Sequence, residues 1–282
     1  MIHEKIELWK EHPESFLVTY VNEDAPVLEM PPRKAIIVCP GGGYEFLSAR
    51  EAEPVAKKFF AEGFNVFVLN YSVFPNAGNY VPLIELAMAV TYVRENSEKY
   101  NVDPNYVFTV GFSAGGHLVA SAGTMWNCEV IRKALEIDSG KRPEGINRPT
   151  GTILCYPVIS AGDFAHEGSI LHVCGDDPKL TTEQKQVFSL EMRVDENTAP
   201  AFIWHTFSDN LVPVNNSLLY MQALRDHNVP FEAHIFPYGG HGLVLGTVES
   251  AGSARGRIND HISCWFNLAV KWIADFEKCY KI

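Results

Sequence analysis

Four short stretches of this chain carry residue types suited to acyl chemistry. Gly111-Phe112-Ser113-Ala114-Gly115 sets a serine in a G-x-S-x-G spacing. A serine hydroxyl is a poor nucleophile until a base takes its proton, and an imidazole base needs an acid to hold its tautomer. His241 stands in Gly239-Gly240-His241-Gly242, and Asp209 in Thr206-Phe207-Ser208-Asp209, so the order along the chain is Ser, Asp, His. The fourth stretch is Cys39-Pro40-Gly41-Gly42-Gly43-Tyr44, whose bare backbone can turn N–H groups toward an oxygen gaining negative charge. Together they describe attack by Ser113 on a carbonyl carbon, with His241 as base and Asp209 as its orienting acid. The oxyanion would rest on the amides of Gly42 or Gly43 and of Ala114. This chemistry needs no metal or organic cofactor.

The G-x-S-x-G pattern is weak alone, and its setting strengthens it. Tyr-Val-Phe-Thr-Val, a strand, precedes it directly, and a helix rich in Ala, Leu and Val follows. In such a strand–turn–helix elbow, small residues let strand and helix backbones approach closely, and the serine is lifted out at the sheet edge. Among rival histidines, His117 falls inside the following helix, His205 closes a strand and His234 lies within one, whereas His241 lies in a loop after the last strand, where the base belongs. Asp176 and Asp177 also follow an apolar run but come before the strand that leads to Asp209. The glycine loop lacks the G-x-x-x-x-G-K spacing of a phosphate cradle; a plain glycine turn is its bland alternative.

The elements that must position these groups follow from periodicity. Apolar runs at 16–21, 35–39, 66–70, 107–111, 152–156, 201–205 and 232–236 are rich in Val, Ile and Phe with little alternation, as in strands buried on both faces. Helical periodicity marks 52–62, closed by Gly63, and 83–100, which opens just after Pro82. Further helices are expected at 114–126, 214–228 and 265–279. Alternation of strand and helix predicts a mostly parallel sheet covered on both sides, in one domain spanning 1–282. Irregular insertions near 124–150 and 159–198 are expected to form the rim of the site and to set specificity.

Composition narrows the partners. A net charge of −11 without a cluster of Lys or Arg argues against a nucleic-acid surface and for a neutral small-molecule substrate. No apolar run reaches membrane-span length, and the N-terminal stretch has no apolar core of a secretion signal, so no membrane contact and a cytoplasmic location are expected. The six scattered cysteines, without a C-x-x-C pair, read as reduced thiols.

The strings PGGGY, GFSAGGH, CYPVIS, HTFSDNLVPVNNSLLYMQALRDHNVPFEAHIF and GGHG resemble the esterase branch of the α/β-hydrolase superfamily that includes bacterial acetylxylan esterases. The resemblance runs from about residue 35 to the last helix, with Pro40 standing where the lipase glycine motif carries histidine. It implies an α/β-hydrolase fold of about eight strands with helices on both faces. By the same likeness, Ser113, His241 and Asp209 act as nucleophile, base and acid. The implied activity is removal of acetyl groups from small acetylated carbohydrates such as xylo-oligosaccharides. Two rivals remain beside it: a peptidase or amidase of the prolyl-oligopeptidase-like type, and a non-catalytic binding module on a hydrolase fold.

Overall fold

The computed structural model describes residues 1–23, 27, 29–175 and 181–280. Asp176 and Asp177 lie outside the described residues. Eight strands form one sheet: β1 (Lys5–Glu7), β2 (Phe16–Tyr20), β3 (Arg33–Cys39), β4 (Asn65–Asn70), β5 (Val102–Phe112), β6 (Thr152–Cys155), β7 (Ala201–Thr206) and β8 (Phe231–Phe236). Their spatial order is β1-β2-β4-β3-β5-β6-β7-β8. From β4 to β8 every neighbouring pair is parallel, whereas β1 and β2 join antiparallel at one edge. Parallel order sends the C-terminal ends of β3, β5, β7 and β8 to one edge of the sheet, where the loops that follow them can meet.

Helices α1 (Glu53–Ala61), α2 (Val81–Glu95), α3 (Ala114–Thr124), α4 (Glu129–Ala134), α5 (Glu167–Val173), α6 (Thr182–Gln186), α7 (Asn215–Asp226), α8 (Val248–Ala251), α9 (Asp260–Ser263) and α10 (Trp265–Cys279) complete the fold. Successive side chains of a strand point to opposite faces, and the core divides accordingly. Ala35, Ile37, Phe67, Leu69, Leu154, Ala201 and Ile203 pack with α2, α3 and α7 in one cluster. Ile36, Val38, Val66, Val68, Phe108, Val110, Ile153, Phe202 and Trp204 pack with α1 and α10 in the other. A strand apolar at every position is therefore a strand serving two cores. This is the mostly parallel sheet expected from the pattern, with the eight strands that the resemblance to α/β hydrolases implies.

Three departures have physical reasons. Strand β1 carries only Lys5-Ile6-Glu7, held by backbone pairing to β2, so no apolar pattern marks it. The helix expected at 83–100 stops at Glu95, where Asn96 leaves helical geometry and folds its side chain back onto the Tyr92 carbonyl. The edge strand β8 has no neighbour beyond it among the described residues and is largely half-buried, Phe231 and Ala233 packing on one cluster and Phe236 in the other, against the expectation of full burial on both faces.

Candidate active site

The turn from β5 into α3 is built on close backbone approach. A Cβ on Gly111 would meet the Gly115 carbonyl oxygen at 2.1 Å, and one on Gly115 would meet the Cys39 oxygen at 2.2 Å. No other residue fits either position, which accounts for both glycines of the motif. Between them Ser113 adopts φ 53 and ψ −117, a sparsely populated conformation for a residue with a side chain. Its amide donates to the Cys155 carbonyl, and its own carbonyl accepts from Val158, so neighbouring β6 and the segment after it hold the elbow. Ala114 opens α3, placing its amide in the unpaired first turn.

His241 follows β8, and its Nε2 lies 2.8 Å from Ser113 Oγ. Its Nδ1 lies 2.7 Å from Asp209 Oδ2. A carboxylate beside Nδ1 requires the proton there, which leaves Nε2 as the acceptor for the serine hydroxyl. Asp209 follows β7 and is saturated with donors: Oδ1 accepts the Leu211 and Val212 amides, both at 3.0 Å. Burial alone would push this carboxyl up; the bonds from His205 and His241 and the Leu211 amide outweigh that and hold it well below the usual carboxylate range.

His205 proves to be part of the support. Its Nε2 sits 3.0 Å from the Val212 carbonyl and 3.3 Å from Asp209 Oδ2, so Nε2 carries the proton and is shared between them. Its Nδ1 then accepts from Ser217 Oγ at 2.8 Å. Fully buried, it clamps the acid loop against α7. His117 is also structural: buried, pushed down to about 4 by desolvation, it donates to the Phe188 carbonyl and accepts from the Tyr44 hydroxyl. His234 pairs with Glu232 along β8.

The glycine loop after β3 lines the same cleft. A space of about 460 Å³ is walled by Gly42, Gly43, Phe46, Ser113, His166 and His241, among others. The amides of Gly42 and Gly43 are not engaged by other groups of the described structure, whereas the Gly41 amide donates to Glu51 Oε2 at 2.8 Å. Buried Glu51 also accepts the Tyr156 hydroxyl on Oε1 at 2.8 Å, and the Tyr156 ring packs edge-on to His241 at 4.9 Å between centroids. One carboxylate thus links the glycine loop to the wall behind the histidine. Arg50 holds the histidine loop from the other side, donating to the Gly242 and Ser250 carbonyls, both at 2.7 Å. Glu51, Tyr156, Arg50 and His205 carry no motif of their own; only the tertiary fold shows them.

The two insertions behave differently. Segment 159–198 follows β6, so it starts at the edge where Ser113 stands, and its His166 reaches the cleft. Segment 124–150 leaves the far end of α3 and leads into β6, so it lies at the opposite edge of the sheet. There Arg142 pairs with Glu95 and Asn147 bonds the Trp126 carbonyl; none of this segment lines the cleft, which corrects its expected place on the rim. Among the described residues no helix is long and apolar enough to cross a membrane.

Known proteins are similar to this chain in sequence and in fold. Over 220 residues the chain is 37% identical to endo-1,4-beta-xylanase B of Butyrivibrio fibrisolvens, covering 77% of this chain and 33% of that protein. Over 226 residues it is 32% identical to the acetylxylan esterase of Xylanibacter ruminicola, covering 78% of this chain and 43% of the other. The chain thus spans less than half the length of these curated relatives. A crystal structure of the acetyl ester-xyloside bifunctional hydrolase from Caldicellulosiruptor lactoaceticus superposes with a TM-score of 0.80 at 35% identity, covering 97% of this chain and 96% of that one. The BD-FAE family model matches residues 25–224, including Ser113 and Asp209. With that match over most of its length and this sheet beneath it, the chain belongs to the BD-FAE family of α/β hydrolases.

Proposed function

We propose that this chain is a serine carboxylic ester hydrolase that removes acetyl groups from small acetylated carbohydrates, xylo-oligosaccharides in the first place, through an acyl-enzyme. The observation that carries the reading is the unbroken relay from Ser113 Oγ through His241 to Asp209, at 2.8 and 2.7 Å. Ser113 Oγ attacks the ester carbonyl carbon while His241 Nε2 takes its proton. The carbonyl oxygen gains a charge that the Gly42 or Gly43 amide and the Ala114 amide stabilise, each donor contributing about 3 kcal/mol. As the tetrahedral intermediate collapses, His241 gives the proton to the departing alkoxide and acetyl stays on Ser113. Water, deprotonated by His241, then attacks the acyl carbon, and acetate leaves as Ser113 regains its proton. Asp209, ionised throughout, holds the imidazole tautomer and steadies its positive form.

The carbohydrate half of the reading is supported by the relatives, one an acetylxylan esterase and another an acetyl ester-xyloside hydrolase. We take the chain as one hydrolase unit, supported by its single continuous sheet. We assign it to the cytoplasm, a reading supported by six cysteines that all stand as free thiols. The test is acetate release from acetylated xylo-oligosaccharides, with p-nitrophenyl acetate alongside, for wild type and Ser113→Ala. Both activities should vanish in the variant. Activity surviving there would remove Ser113 as nucleophile, and hydrolysis of the p-nitrophenyl ester alone would remove the sugar assignment.

A further inference from the structure

His166 is the one histidine of the cleft that the relay does not use. It caps the N-terminus of α5, where its Nδ1 faces the Ser169 amide at 3.3 Å and the Ser169 hydroxyl at 2.8 Å. A backbone amide can only donate, so Nδ1 is the acceptor and the ring proton sits on Nε2. That N–H has no hydrogen-bond partner among the described residues, although the ring lines the cleft with Ser113, Gly42, Gly43 and His241. Its Cε1, the atom between the two nitrogens, is 4.0 Å from where a Gly43 Cβ would stand. The helix that carries it is fastened to the same loop: His172 Nδ1 lies 2.8 Å from the Gly43 carbonyl. A fixed ring with a spare donor therefore overhangs the glycine loop.

We propose that the Nε2–H of His166 is a specificity group that donates a hydrogen bond to a free hydroxyl on the alcohol half of the substrate, next to the ester being cleaved. The proposal rests on the esterase reading above and deepens it. The contact falls on the alcohol side because the alkoxide must leave beside His241 to be reprotonated, and His166 lines the same cleft as His241. Burial, with the neighbouring His241 and His172, pushes His166 down from the ordinary histidine range, so near neutrality it works as an uncharged donor. An uncharged donor suits a sugar hydroxyl.

Two substitutions separate this role from capping. His166→Asn keeps an oxygen where Nδ1 accepts from Ser169 but has nothing at the Nε2 position; His166→Gln places an amide N–H near Nε2 and surrenders the cap. The readout is the ratio of kcat/KM on acetylated xylo-oligosaccharide to kcat/KM on p-nitrophenyl acetate, whose leaving group carries no hydroxyl. Loss of one hydrogen bond should lower that ratio by about threefold to tenfold in the Asn variant, and Gln should restore much of it. A ratio that falls with Gln and holds with Asn would make His166 only a cap. Equal falls on both substrates would move the donor to the oxyanion, and an unaltered ratio in both variants would remove the role. Each of these overturns the proposal while sugar turnover by wild type persists. Wild type that cleaves p-nitrophenyl acetate and leaves the sugar ester intact would instead overturn the carbohydrate reading, and His166's role with it.

Discussion

Glu51 offers a quantitative test of how the cleft is held together. The residue is 4% exposed, and its two oxygens each take one buried donor: the Gly41 amide and the Tyr156 hydroxyl, both at 2.8 Å. Glu51→Ala removes both acceptors at once. A buried donor left unpaired costs about 1–3 kcal/mol, so the pair puts the expected loss at about 2–6 kcal/mol, a large part of a domain's total stability. The same change frees the glycine loop from its anchor, and a displacement of about 1 Å at such a site can cost a hundredfold in rate. Glu51→Gln is the control. Its oxygen can face the amide, and its NH2 can donate to the Tyr156 oxygen, because a hydroxyl accepts as well as donates. It should sacrifice only the charge-assisted part of the two bonds, about 1 kcal/mol. Urea unfolding monitored by tryptophan fluorescence gives stability, and p-nitrophenyl acetate hydrolysis gives rate. If Ala and Gln variants unfold at the same urea concentration, unpaired donors are not what the alanine leaves behind, and the reasoning fails.

Further outcomes follow from the same geometry. Asp209→Asn should lower kcat by about three to four orders of magnitude, since an amide can stabilise the wrong histidine tautomer; a loss under tenfold in steady-state assays would remove its orienting role. Because Asp209 is held below the ordinary carboxylate range, its ionised form stabilises the fold above that range and the contribution disappears as pH falls through it. Wild type should therefore lose more stability than Asp209→Asn between neutral and acid pH, as urea midpoints would show. Glu85 has the opposite sign: burial, opposed by two bonds from Ser72, pushes it up to about 7, so its contribution is present at low pH and lost as pH rises through that value. Glu85→Gln should flatten this decline, measured by the same midpoints from acid to neutral pH. Gly115→Ala would drive a methyl group to within 2.2 Å of the Cys39 oxygen. It should cost about 1–3 kcal/mol and at least tenfold in kcat/KM; near-wild-type activity would mean that the elbow tolerates a wider gap.

The strands of the sheet's centre were legible because they serve two cores: Ile36, Ile37 and Val38 are all buried, alternately on opposite sides. Strand β1 was not, since Lys5-Ile6-Glu7 has a single apolar residue and is placed by main-chain pairing to β2, which leaves little mark in the sequence. Ser113, Asp209 and His241 were legible by order, because parallel strands bring the loops after β5, β7 and β8 to one edge. The structure brings the three within hydrogen-bond distance. What surrounds them was hidden. Glu51 lies in a short 3-10 turn, and His166 sits on an insertion whose only sequence signal was irregularity. Segment 124–150 lies away from the site for a topological reason: a helix-to-strand connection emerges at the far edge of the sheet, a strand-to-helix connection beside the site.

Arg50 grips the histidine loop through the carbonyl oxygens of residues 242 and 250 and uses no side chain of either. Every residue type presents the same carbonyl. Exposed positions 248 and 249 of that segment can therefore change without asking the arginine to change in step, whereas buried Ser250 is kept by its own side-chain bonds to Leu245 and Thr247. Comparisons among relatives should find an arginine standing alone, with no co-varying acidic partner, while the exposed positions 248 and 249 vary and the imidazole stays in register.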